Sequence, residues 1–179
     1  MLGLSQTSYI DEILARFNMQ DSKKGFVPFK VGSSLSANHR PKTPTEIERM
    51  RGIPYASAVG SLMYAMLCTR PDICFAVDMV SRYQLDPGEE HWIAVKHIFK
   101  YLRRTRDYML VFQDESLVPI GYTDSDFQSD RESRKFTSGY VFTFGGGAIS
   151  WQSVKQSSIA DSTMETEYIA TSKIGRAHV

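Results

Sequence analysis

Apolar residues recur at three- and four-residue spacing through the first hundred positions of this chain, and from Tyr108 onward at every second position. The change of period predicts a helical module followed by a β-rich one. Ile10, Ile13, Leu14 and Phe17 share one face of a helix beginning at Ser8. Residues 20–53 lose the rhythm and collect Gly25, Pro28, Gly32, Ser33, Ser34, Pro41 and Pro44, which predicts a long loop with a short charged helix around 46–51. A second helix is expected over Tyr55–Cys68, with Val59, Leu62, Met63 and Met66 inward. Pro71 suits the first turn of a third, whose apolar face is Ile73, Ala76, Val77, Val80 and Tyr83. Asp86, Pro87 and Gly88 break that helix, and a fourth over 90–104 buries Trp92, Val95, Phe99 and Leu102.

The alternating region predicts strands at 109–112, 118–123, 140–144 and 148–152. Gly145, Gly146 and Gly147 mark a hairpin turn, where glycine accepts positive φ. A last helix is expected from Ser162, capped by Ser162 or Asp161. Three of these strands, 118–123, 139–145 and 148–153, are expected to form one antiparallel meander with that helix packed on it.

A chain of 179 residues is long enough for one domain or two small ones. Its 42% hydrophobic content is ordinary for a protein that folds in water, and no apolar run reaches the roughly 18 residues of a membrane span. The N-terminus lacks the basic-then-apolar pattern of a signal peptide, and two cysteines, Cys68 and Cys74, suggest neither a disulfide framework nor a zinc site. Those features lead to the expectation of an intracellular protein, cytoplasmic or nuclear, without a membrane partner. The net charge of +1 hides an uneven distribution: residues 91–106 hold Lys96, Lys100, Arg103, Arg104 and Arg106 and no acid. Lys96, Lys100, Arg103 and Arg104 fall opposite Trp92, Val95 and Phe99 on a helix. Such a stripe serves either as a solvated face or as a phosphate-tracking surface.

Two short acidic segments carry the candidate chemistry. Gly121-Tyr122-Thr123-Asp124-Ser125-Asp126 follows an apolar stretch and reads as a strand ending in carboxylates. Asp161-Ser162-Thr163-Met164-Glu165-Thr166-Glu167-Tyr168 opens the last helix. A strand-end Asp facing a helix-borne Glu suits divalent metals, because hard cations take oxygen ligands and a metal pair can clamp the attacking and leaving oxygens of a phosphodiester. Glu165 and Glu167 point about 200° apart on a helix, so they cannot both face Asp124. Trp151 and Tyr122 are assigned to core packing ahead of base stacking.

The words around these acids, Tyr-Thr-Asp-Ser-Asp-Phe at 122–127, Thr137-Ser138-Gly139-Tyr140-Val141-Phe142, Ala148-Ile149-Ser150-Trp151, Lys155-Gln156 and Met164-Glu165-Thr166-Glu167-Tyr168, resemble the ribonuclease H domain of copia-type retrotransposon Pol polyproteins. So does the charged run Asp130-Arg131-Glu132-Ser133-Arg134-Lys135. Arg16-Phe17-Asn18-Met19, Pro54-Tyr55-Ala56-Ser57-Ala58-Val59-Gly60-Ser61-Leu62-Met63-Tyr64, Thr69-Arg70-Pro71-Asp72-Ile73 and Lys100-Tyr101-Leu102-Arg103-Arg104-Thr105 look like the end of the same family's reverse transcriptase. The resemblance runs from residue 2 to about residue 173. It implies an α+β chain, with a helical thumb-like module over 1–107, the first half of a ribonuclease H-like fold (three antiparallel strands and one helix) over 108–173, and a non-family tail over 174–179.

The same resemblance assigns Asp124 and Glu167 as catalytic metal ligands, leaving Asp126 and Glu165 as exposed or helix-capping acids. It implies Mg2+ as the parent's cofactor, and RNA–DNA hybrid or duplex nucleic acid and the remainder of the Pol polyprotein as partners. Lys96, Lys100, Arg103 and Arg104 are then the nucleic-acid-binding residues. The family uses two further aspartates in hydrolysis and a Tyr-x-Asp-Asp pair in polymerisation, and the chain holds none of these. The expectation is therefore a segment of a reverse transcriptase and ribonuclease H that is inactive alone. The alternatives are a non-catalytic nucleic-acid-binding module or a decayed element copy. His178, in a tail where Gly175 disfavours helix, is not expected to be a ligand.

Overall fold

A computed structural model describes residues 1–30, 35–113, 117–126, 135–159 and 162–176. The charged run at 130–134, Asp161 and His178 lie outside the described residues. The chain divides into two compact units, Leu4–Met109 and a second comprising Met1–Gly3 and Leu110–Val179. Leu2–Ser5 (β1) and Met109–Phe112 (β2) form a two-stranded sheet.

The helical unit holds Thr7–Arg16 (α1), Pro44–Arg51 (α2), Tyr55–Cys68 (α3), Cys74–Ser81 (α4) and Glu89–Arg104 (α5). The apolar faces of α1 and α5 lie where the periodicity put them, and Ile10, Ile13, Val59, Leu62, Ile73, Val80, Val95, Ile98, Phe99 and Leu102 are all fully buried. α2 is the short charged helix of the long loop. Thr43 caps it by accepting from Glu46 N–H at 3.3 Å, while the Glu46 carboxylate accepts from Thr43 N–H at 3.0 Å. In α3 the inward phase differs from the expected one: Ala58, Ser61 and Ala65 join Val59 and Leu62 inside, and Met63 stands exposed. Apolar residues surround α3 on every side, so periodicity alone did not fix its phase. Pro71 opens a 3-10 turn, Pro71–Ile73, ahead of α4 rather than α4 itself.

Buried polar groups in this unit are tied to named partners. Tyr55 donates to the Val80 carbonyl at 2.8 Å, and burial, with Tyr83 beside it, pushes its phenol far up. His91 is fully buried, with Nδ1 accepting from Gly88 N–H at 2.8 Å. Nε2 therefore carries the proton and donates to the Ser36 carbonyl at 3.1 Å, while the Tyr83 ring stacks on the imidazole at 4.1 Å. A second proton would sit on Nδ1, against an N–H donor.

Burial holds the His91 pKa down, with His39 and Arg40 adding to the effect and the Ser36 carbonyl and Asp86 opposing it. His97 is lowered too, by burial and then by Lys100, Lys30 and Lys96. A histidine lowered in the folded state takes up protons first in the unfolded chain. Its contribution is complete above the ordinary value of about 6.5 and is lost as pH falls through the folded value. Urea midpoints should therefore fall between pH 7 and pH 5, and the fall should be smaller in His91→Gln. An equal fall in wild type and variant would remove His91 from this role.

In the second unit Ile120–Asp126 (β3), Lys135–Phe144 (β4) and Gly147–Ile159 (β5) form an antiparallel sheet in sequential order. Gly145 and Gly146, at φ 55° and 80°, make the turn between β4 and β5. Both strands extend beyond their expected limits, because their outer halves are mostly Ser, Thr, Gln and Lys, with Phe136, Val154 and Ile159 too far apart to show an apolar alternation. Thr163–Arg176 (α6) packs on β3 and β4. Ser162 caps it, its hydroxyl accepting from Glu165 N–H at 3.2 Å. The helix continues through Gly175 to Arg176, so the expected departure after residue 173 does not end it.

The interior of this unit is thin. Among the described residues only Phe136, Phe142 and Ala170 are buried apolar side chains, beside Thr137, Ser138, Gln156 and Thr166. Tyr122 is 58% exposed, contrary to its assignment to the core. It lies on the face of β3 turned away from α6.

Candidate nucleic-acid interface and carboxylate pair

α5 is the more fully built of the two candidate sites. Glu89 and Glu90 occupy its first turn, and Arg103 and Arg104 its last, each sign complementing the helix dipole at its end. His91, Ala94, Val95, Ile98, Phe99 and Leu102 anchor the inner face. At about 100° per residue, Lys96, Lys100, Arg103 and Arg104 occupy a stripe about 100° wide on the opposite side. The structure thus brings these four together. Lys96, Lys100 and Arg103 are partly exposed, with stems along the protein and heads outward, and Arg104 is exposed. The Arg104 guanidinium lies 4.0 Å from the centre of the Phe26 ring. Lys96 also borders a cleft of about 640 Å³ of mixed charge, with Arg40, Lys42 and Arg49 facing Glu46, Glu89 and Glu90 around its lining.

The carboxylates are arranged differently. Asp124 is exposed, pairs across the sheet with Gly139, and accepts from Ser125 N–H at 2.9 Å. Ser125 Oγ lies 3.1 Å from Thr166 Oγ1, so Ser125 turns toward α6 and strand alternation turns Asp124 to the other face. Thr166 and Ala170 are the inward residues of α6. Glu165 and Glu167 therefore flank the helix on opposite sides, and neither faces the sheet. Ser125 and Thr166, the chain neighbours of Asp124 and Glu167, meet between β3 and α6. No group of three or more His, Cys, Asp or Glu able to hold a metal occurs among the described residues. Asp124 and Glu167, both exposed, are the carboxylates that would hold a magnesium ion.

A third cluster escaped the sequence reading. Arg70, whose side chain is 2% exposed, donates from Nε and Nη2 to the two oxygens of Asp72 at 2.9 and 2.7 Å. It also donates to the Thr105 carbonyl at 3.2 Å and the Thr105 hydroxyl at 2.5 Å. Tyr101 donates to Asp72 at 2.8 Å, and its phenol is pushed up to about 12 by burial and by Asp72. With four donor contacts made, Arg70 clasps the α4 entry to the α5 exit and is a structural residue. The one sequence signal was an Arg-Pro-Asp triplet between two helices.

No family model matches the chain, and no solved structure matches it. The chain is 50% identical over 175 residues to the Retrovirus-related Pol polyprotein from transposon TNT 1-94 of Nicotiana tabacum, covering 98% of this chain and 13% of that polyprotein. It is 34% identical over 168 residues to the Retrovirus-related Pol polyprotein from transposon RE2 of Arabidopsis thaliana, covering 93% of this chain and 11% of that one. The chain belongs to the copia-type retrotransposon Pol polyprotein family. It spans about an eighth of the length of these Pol relatives. The Secreted RxLR effector protein 161 of Plasmopara viticola is 45% identical over 125 residues, 69% of this chain and 88% of that protein. No helix among the described residues is long and apolar enough to cross a membrane.

Proposed function

We propose that this segment of Pol combines the thumb-like end of the reverse transcriptase, residues 1–107, with the opening half of ribonuclease H, residues 108–173. In this reading the parent copies RNA into DNA and hydrolyses the RNA strand of the hybrid with Mg2+, and this segment holds nucleic acid by its backbone. The observation that carries it is the four-cation stripe on α5, which holds no acid between Lys96 and Arg104 and stands opposite a buried face. Cations so placed contact phosphates whatever the base sequence. Asp124 and Glu167 are the two carboxylates the segment would bring to the parent's hydrolytic centre. Two carboxylates are too few for two divalent cations, and the chain alone is proposed not to hydrolyse the hybrid.

Binding to a labelled RNA–DNA hybrid at increasing salt tests the reading. Wild type should bind weakly, without sequence preference, and lose affinity steeply with salt. Lys96, Lys100, Arg103 and Arg104 replaced together by Gln should reduce the affinity lost between 50 and 200 mM salt by up to about 150-fold, at a log–log slope of about 0.9 per phosphate contact. Binding indifferent to salt, or unchanged in the quadruple variant, would leave α5 as an ordinary solvated face.

A further inference from the structure

We infer that residues 23–30, in the loop after α1, form a second wall of the nucleic-acid-binding surface, with Lys23, Lys24 and Lys30 joining the α5 stripe on the phosphate backbone and Phe26 positioning Arg104. The inference rests on the reading of α5 given above and extends it to a segment which the sequence marked only as loop.

Three independent placements lay this segment along α5. Gly25 N–H donates to the Lys100 carbonyl at 2.8 Å. A Cβ at Gly25 would come within 3.1 Å of Lys100 Cβ and of Tyr101 N, so the close approach depends on glycine. Phe26 then meets Arg104, one turn further along the helix. In the other direction Phe29 and Lys30 line a cavity of about 250 Å³ with Ile93, Ala94 and His97. The segment thus runs antiparallel to α5 beside the cationic stripe, from Arg104 back to His97. The lowering of His97 by Lys30 together with Lys100 and Lys96 agrees with that course.

The lysines of this wall form no ion pair among the described residues, although Glu90 borders the same cavity as Lys30. Residues 22–30 contain three lysines and no acid, and all three lysines are exposed. Among the described residues none of Lys23, Lys24, Lys30, Lys96, Lys100, Arg103 and Arg104 lies within ion-pair distance of a carboxylate. Lys96 to Arg104 spans about 12 Å of helix. A duplex carries one charge per about 1.7 Å of axis, or about seven over that length. α5 alone supplies four cations, and the loop brings the number to seven. Phe26, 75% exposed, is spent on Arg104 rather than on the core, and it fixes the planar guanidinium at the rim where it can fork onto a phosphate.

The test is the salt dependence of binding to the same labelled hybrid by the full chain, with four proteins side by side. These are wild type, the α5 quadruple Gln variant, a loop variant carrying Lys23→Gln, Lys24→Gln and Lys30→Gln, and a decoy carrying Arg16→Gln and Arg51→Gln. All the altered side chains are at least partly exposed, and melting curves check that each variant folds. The loop variant should reduce the affinity lost between 50 and 200 mM salt by up to about 40-fold, and the decoy should leave it unchanged. A loop variant that matches wild type while the α5 variant flattens overturns the loop inference and leaves the α5 reading standing. Wild type that fails to bind, or an α5 variant that changes nothing, overturns both. A decoy that acts as strongly per charge as the loop variant shows net charge alone at work and also overturns the inference. Phe26→Ala should weaken binding two- to fivefold, and binding equal to wild type would remove its positioning role.

Discussion

Replacing Arg70 with alanine is expected to destabilise the helical unit by about 3 kcal/mol, because it removes one partner of a buried ion pair and leaves the other's charge in place. The value lies at the low end of that class, since Asp72 stays 33% exposed and keeps some water. The Thr105 hydroxyl and carbonyl, both accepting from Arg70, lose their partner as well. In a unit of about this size such a loss lowers Tm by about 12 °C or more. Arg70→Lys keeps the charge but loses the two-pronged match to the carboxylate, and should fall between the alanine variant and wild type. Chemical denaturation read by far-UV circular dichroism measures both. Because the clasp is structural, the folded fraction of Arg70→Lys should bind hybrid as wild type does. An alanine variant that melts within 2 °C of wild type would show that the clasp adds little.

The parts legible in the sequence are those where one physical signal acts alone. α1 and α5 each have one apolar face, so their register follows from spacing. The turn at Gly145 and Gly146 needs positive φ, and three glycines in a row announce it. α3 is apolar all round, which is why Met63 came out exposed and Ser61 inside. Strands β4 and β5 are long and half polar, and the buried positions of their outer halves are mostly Thr137, Ser138 and Gln156, which give no apolar period to read. The α5 cations were legible as a stripe, but the lysines of residues 23–30 were not. Their place beside α5 depends on a backbone approach at Gly25 that no local pattern reports. The Asp–Glu pair is read from the chemistry of its residues, with no local signal for the direction of either side chain. The inward position on α6 went to Thr166, a small residue that fits against Ser125, and neither glutamate could take it.

Asp124 and Glu167 also bear on the largest effect of all, hydrolysis. Two carboxylates cannot neutralise two divalent cations even when they converge. The segment should therefore give no measurable cleavage of an RNA–DNA hybrid with magnesium. Joined to family sequence after Ser172 that supplies two further aspartates, it should cleave, because the added carboxylates would complete the ligand set. Asp124→Asn or Glu167→Gln in that longer chain should then lower the rate at least about a thousandfold, the scale of losing an essential member of a site that acts as a unit. Glu165→Gln should leave most of the rate intact. The most direct measurement is hybrid cleavage by the segment and by the longer chain, each with and without Asp124→Asn. The account predicts activity in the longer wild-type chain alone. Cleavage by the segment itself, surviving Asp124→Asn, would contradict it.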